Sequence, residues 1–276
     1  MVSFSFLIPA LLFVSIFVFF PLLRGVPIAF YKWDGFSPAR IYIGWSNFIR
    51  IFADTNQVNS LLKTLEFTFY AVLLTNLLGL AAALLFEKAG KTNNLLRAAV
   101  FTPFLMSLVL SSYIISYIYS DVIYRYFSIP SPLSSTSWVI PGLAIIAVWR
   151  DAGYCMLIYY AALKTVPHEL YENSKLEGAG TLRTFFRITM PMIIPAFTAN
   201  ITLTLSWALK VFDYPMVATL GGPGNASETM NVYIYRNIFV FFKAGYGQAT
   251  AMVFMGLIFI ITAIVSGSLR RVEVEL

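Results

Sequence analysis

Six apolar stretches, each about as long as the ~20 residues a helix needs to cross a hydrocarbon core, decide the class of this 276-residue chain. Phe4–Leu23, Phe67–Phe86, Ala98–Ser120, Met190–Leu209 and Tyr246–Leu269 carry no charge, and Trp138–Leu163 is interrupted only by Arg150 and Asp151. With their flanks they give expected spans at about 4–29, 64–86, 98–120, 138–163, 190–219 and 246–269. The expected fold is therefore all-α, a polytopic membrane protein of six transmembrane helices. Only 12% of residues are charged, about half the usual share of a soluble domain. Pro103, Gly153 and Pro195 permit bends within the spans.

The net charge of +6 comes without the Lys/Arg cluster that marks a nucleic-acid patch. A basic excess of this kind suits loops facing anionic lipid. One cysteine, Cys155, excludes an internal disulfide, and one histidine, His168, cannot build a histidine metal site. The first stretch lacks the basic start and small-residue cleavage site of a signal peptide, so it is expected as a retained helix. Connections on one side (87–97, 164–190 and the tail 270–276) hold nine Lys/Arg in 45 residues, against seven in 75 opposite. The positive-inside rule then puts both termini in the cytoplasm.

The most informative connection runs from Pro167 to Pro191. Pro167 suits the first turn of a short helix, and Glu169 and Glu172 favour its positive end. Gly178 and Gly180 can take the left-handed conformation that stops it. A second helix would carry Leu182, Phe185, Phe186 and Met190 on one face and Arg183 and Arg187 on another.

This loop resembles the EAA loop of ABC importer permeases. Glu172-Asn173-Ser174 stands for Glu-Ala-Ala, Glu177-Gly178-Ala179 for Asp-Gly-Ala, and Phe186-Arg187-Ile188-Thr189-Met190-Pro191 closes the motif. The departures are Asn173, Ser174, Glu177 and Met190. Two further stretches are similar to the maltose-type carbohydrate permeases: Leu220-Gly-Gly-Pro-Gly-Asn-Ala-Ser-Glu-Thr-Met230 with Gly245-Tyr-Gly-Gln-Ala-Thr-Ala251, and Ile43-Gly-Trp-Ser-Asn-Phe48. The resemblance covers essentially the whole chain.

It implies a permease of the bacterial or archaeal cytoplasmic membrane with a cytoplasmic coupling helix. Implied partners are a second homologous permease, two ABC ATPase subunits, an extracytoplasmic solute-binding protein, a carbohydrate substrate and the lipid bilayer, with no nucleic acid. ATP and Mg would be bound by the ATPase partner, with no cofactor in this chain and no catalytic residue. Glu172, Asn173, Ser174, Glu177, Gly178, Ala179, Ile188 and Pro191 would couple to the ATPase. Gly90-Lys91-Thr92 looks like the end of a P-loop, but Leu85 stands where its first glycine belongs and no strand precedes it.

Arg150 and Asp151 in the fourth span, and Lys210 and Asp213 in the fifth, each cost about 2.5–3.5 kcal/mol at the centre of a lipid-facing helix. Such groups normally face a bundle interior or a wet cavity. Trp149, Tyr154, Trp207 and Tyr214 lie close by in sequence and offer rings and hydroxyls suited to sugars. On a continuous helix Trp207 and Asp213 would stand about 120° apart, with Lys210 between them. Trp149, Arg150, Asp151, Tyr154, Trp207, Lys210, Asp213 and Tyr214 are therefore the expected substrate pathway. Structural pairing or anchoring at the membrane surface is the alternative reading of the charges. Glycerol phosphate or an amino acid is the alternative cargo. An ion-driven secondary transporter using Asp151 or Asp213 is the alternative class.

Overall fold

The computed structural model describes residues 7–273, which are overwhelmingly helical. The first helical run, α1 (Leu7–Phe30), is exposed along its whole apolar length to Arg24, as a helix bathed in hydrocarbon can be. Residues 4–6 of its expected span lie outside the described residues. A two-residue hairpin follows, β1 (Tyr31–Lys32) against β2 (Ile41–Tyr42), with Tyr31 opposite Tyr42. Then come α2 (Ser46–Ala53), α3 (Thr55–Leu85), α4 (Lys91–Leu105), α5 (Leu108–Phe127), α6 (Val139–Thr165), α7 (His168–Leu176) and α8 (Thr181–Met192). The chain ends with α9 (Ile194–Leu209), α10 (Asp213–Thr219), α11 (Met230–Tyr235) and α12 (Ala244–Arg270).

Four of these helices are long and apolar enough to cross a membrane, and six spans result if each of two bent pairs counts as one. The bends are the main departure from expectation. The span expected at 98–120 starts earlier, at Lys91, and turns by 105° between Leu105 and Leu108. Met106 and Ser107 are extended there, and the Ser107 hydroxyl restarts the helix by accepting from the Leu110 N–H at 3.2 Å. The span expected at 190–219 is likewise not one helix. Its chain turns by 68° at Ile193, just before Pro195, and breaks again at Lys210–Phe212. Pro103 and Pro195 thus sit beside real breaks. Gly153 does not, because α6 runs through it unbroken. A Cβ on Gly153 would stand 2.2 Å from the Val100 carbonyl oxygen, so this glycine lets α6 and α4 touch backbone to backbone.

The chain forms two compact units, one from residues up to Ser60 with Met230–Leu257, the other from Leu61–Thr229 with the residues after Leu257. In the smaller unit, Ala29, Ile51, Tyr233, Tyr246 and Ala249 form the core. Asn47 ties the hairpin down by donating to the Ala29 and Tyr31 carbonyls. Asp54, at the start of α3, receives the Tyr233 hydroxyl at 2.8 Å and has the Tyr246 hydroxyl 2.9 Å away. Its other oxygen receives the Asn56 N–H at 3.0 Å. That cap explains why α3 begins at Thr55, well before the expected residue 64.

The larger unit is built around α6. One core cluster gathers Phe67, Ile115, Tyr119, Ile140, Leu143 and Ile146; a second gathers Ala83, Cys155, Met156, Tyr159, Leu163 and Ile193. A polar network crosses this apolar packing. Asn76 of α3 receives the Tyr159 hydroxyl at 2.7 Å and donates to Thr204 of α9 at 3.1 Å, while Asn200 donates to the Cys155 carbonyl at 3.1 Å. In hydrocarbon these groups have little else to bond, so the network fixes how α3, α6 and α9 meet.

Candidate functional site

Within the larger unit, a cavity of about 320 Å³ opens where the two broken helices pass α6 and α3. Its size falls at the small end of ligand pockets, about 300–1,000 Å³. Six of the eight expected pathway residues line it: Arg150, Asp151, Trp207, Lys210, Asp213 and Tyr214. The route by which they meet differs from the expected one. The helix carrying Trp207 ends at Leu209, and Asp213 begins the separate helix α10. The angular argument for one continuous helix fails, yet the break still brings Trp207, Lys210 and Asp213 to the same wall.

Tyr154 is not a lining residue, but it packs directly behind the wall. Its ring stacks on Phe104 with centroids 4.8 Å apart and meets Trp207 at 5.3 Å. Phe104 and Trp207 are also near-parallel at 6.3 Å. Trp149 is not a lining residue either: it is partly buried against the apolar cluster of Phe67, Ile115 and Ile146.

The break in the third span supplies what the sequence alone did not reveal. Phe104 lies on the last turn before it, and the Met106 carbonyl, freed from helical bonding, accepts from Arg150 Nε at 3.2 Å. Arg150 also binds Asp151 at 2.6 Å and lies over the Phe104 ring, 4.9 Å from its centre. Broken helices at membrane depth are tolerated where neighbouring groups or a cavity satisfy the freed backbone, as here. Thr75 and Thr204 add hydroxyls to the lining. The available signal for the missed residues was Asn76 and Asn200, two amides inside otherwise apolar spans.

The second expected site is the loop between α6 and α9. Pro167 lies just before α7 as its N-cap instead of within its first turn. Gly178 takes the left-handed conformation at φ +72°, whereas Gly180 is extended and starts α8. The Gly178 N–H bonds the Lys175 carbonyl and the Ala179 N–H the Ser174 carbonyl, both at 3.0 Å, which closes α7. Ser174 is buried and shares a hydroxyl contact of 2.7 Å with Thr184. Its departure from alanine thus bolts α7 to α8. Glu172, Asn173 and Glu177 face outward, and Glu172 meets His168 at 3.2 Å. Ile188 packs into the second core cluster, and Ala179 and Pro191 are half-buried.

The expected apolar face of α8 is split by a π-turn at Phe185–Thr189. Phe185 and Met190 are partly buried, whereas Leu182 and Phe186 are exposed, with Leu176 of α7 exposed as well.

The family described as "Binding-protein-dependent transport system inner membrane component" matches residues 75–274. The chain is similar to a probable starch degradation products transport system permease protein, AmyD, of Thermoanaerobacterium thermosulfurigenes, with 31% identity over 98% of this chain and 94% of that one. It is also similar to the trehalose/maltose transport system permease protein MalF of Thermococcus litoralis, with 27% identity over 96% and 93% of the two chains. Among solved structures, a bacterial ABC transporter involved in the import of the acidic polysaccharide alginate contains a chain of the same fold. Its TM-score is 0.83 at 20% identity, covering 98% of this chain and 95% of that one.

Proposed function

Since the chain belongs to the family of binding-protein-dependent transport system inner membrane components, we propose that it is the permease subunit of an ATP-driven sugar importer, forming half of the translocation pathway. It is a multi-pass protein of the inner membrane. The sugar assignment draws on relatives that carry starch breakdown products and trehalose or maltose. It is supported by a cavity walled by Trp207 and hydroxyl-bearing side chains.

One observation carries the energetic reading: the outward-facing Glu172–Glu177 helix end, stopped by left-handed Gly178 and bolted to α8 through Ser174. A short rigid helix held this way can transmit a push from an ATPase dimer as a lever. Leu176, Leu182 and Phe186 give the loop an apolar surface for that partner. A second permease, two ATPase subunits that bind ATP and Mg, and an extracytoplasmic binding protein complete the machine. Both termini and this loop then face the cytoplasm.

The test is uptake by proteoliposomes holding the co-purified assembly and its binding protein. Uptake of a starch-derived oligosaccharide should require both enclosed ATP and the loaded binding protein. Uptake sustained by an ion gradient without ATP would overturn this reading.

A further inference from the structure

Resting on the sugar reading of the cavity, we propose that the site is built for an uncharged, hydroxyl-rich ring and discriminates against acidic sugars. The four charged residues in its lining are balanced, Arg150 and Lys210 against Asp151 and Asp213. Arginine is the side chain best suited to grip a carboxylate or sulfonate through two parallel N–H bonds. Arg150 is already engaged on three sides: by the Asp151 carboxylate at 2.6 Å, by the Met106 carbonyl at 3.2 Å, and by the Phe104 ring under its guanidinium. Arg150 and Asp151 are only 16% and 13% exposed, so the pair is largely shielded from water.

An acidic sugar could take Arg150 only by pulling it away from Asp151, stranding a buried carboxylate, and even beside Lys210 it would meet Asp151 and Asp213 as like charges. Both are penalised where little water reaches. A neutral ring meets no such barrier. Trp207 offers an apolar ring at the wall with 38% of its surface open, backed by Phe104 and Tyr154. Tyr214 is buried in the same lining beside Arg150, where its hydroxyl is a neutral group able to meet a sugar hydroxyl.

The purified permease–ATPase assembly, without binding protein, is titrated by equilibrium dialysis with radiolabelled maltose, trehalose, cellobiose and sucrose, and with their uronic-acid counterparts. At least one neutral disaccharide should bind at least tenfold tighter than its acidic counterpart. Asp151→Asn, or Asp213→Asn should the first variant not fold, leaves a cation in excess and should shift that ratio at least tenfold toward the acid. Equal or tighter binding of the acid by the unsubstituted assembly overturns the proposal and leaves the sugar reading standing. No binding of any sugar, neutral or acidic, overturns the sugar reading of this cavity itself.

Discussion

The Tyr159 hydroxyl donates to Asn76 Oδ1 at 2.7 Å, joining the two longest helices of the larger unit in the midst of its apolar packing. Tyr159→Phe removes the donor and leaves the amide oxygen with no bond of comparable quality. Interhelical bonds of this kind are worth about 0.6 kcal/mol on average and up to about 1.7. We expect a loss in that range in detergent unfolding, with insertion unchanged. In a double-mutant cycle with Asn76→Leu the two losses should be less than additive. Full additivity would mean that the hydroxyl and amide act independently.

Asp54 gives the smaller unit a pH dependence of known sign. Burial alone would raise its pKa, but the Tyr233 and Tyr246 hydroxyls, joined by the backbone N–H groups of Asn56 and Gln57, outweigh it and hold the carboxyl below the usual value of 3.8. A lowered folded-state pKa means stability that is present above 3.8 and lost as pH falls through the lower, folded value. The thermal midpoint should therefore drop below about pH 4, and Asp54→Asn should lower it at neutral pH and flatten the acid slope. An unchanged midpoint at pH 7 in Asp54→Asn would show that the tyrosines do not depend on the charge.

The six apolar runs and the helix–glycine–helix loop were legible because hydropathy and glycine chemistry are local properties. The breaks at Met106–Ser107 and Lys210–Phe212 were not. Phe101–Leu110 stays apolar across the first, so hydropathy cannot distinguish one bent path from one straight helix. Phe104 lies on the last turn before that break, against Arg150 and Tyr154, a contact that no local pattern announces. Trp207, Lys210 and Asp213 share one cavity wall, but through the break at Lys210–Phe212 and not along the continuous helix that their spacing suggests. Trp149 adjoins Arg150 in sequence, but adjacent residues on a helix face about 100° apart, and Trp149 packs against the first core cluster outside the cavity lining.

The two glycines of the α7–α8 loop should respond differently. Gly178 stands at φ +72°, where a branched side chain costs about 1–2 kcal/mol, whereas Gly180 has an ordinary backbone conformation and open space around it. Gly178→Val should reduce transport several-fold with normal membrane insertion, and Gly180→Ala should leave transport within about twofold. Normal transport with Gly178→Val would remove this loop from the mechanism.

In the proposed function, sugar passes the Trp207 wall while the energy arrives through the α7–α8 loop. Sugar uptake and ATP hydrolysis, measured in the same proteoliposomes with loaded binding protein, test both halves at once. Trp207→Ala should abolish uptake yet retain most of the stimulated hydrolysis, because the cavity is disabled and the lever is intact. Uptake that survives Trp207→Ala combined with Asp213→Asn would contradict the account and place the sugar path on another face of the bundle.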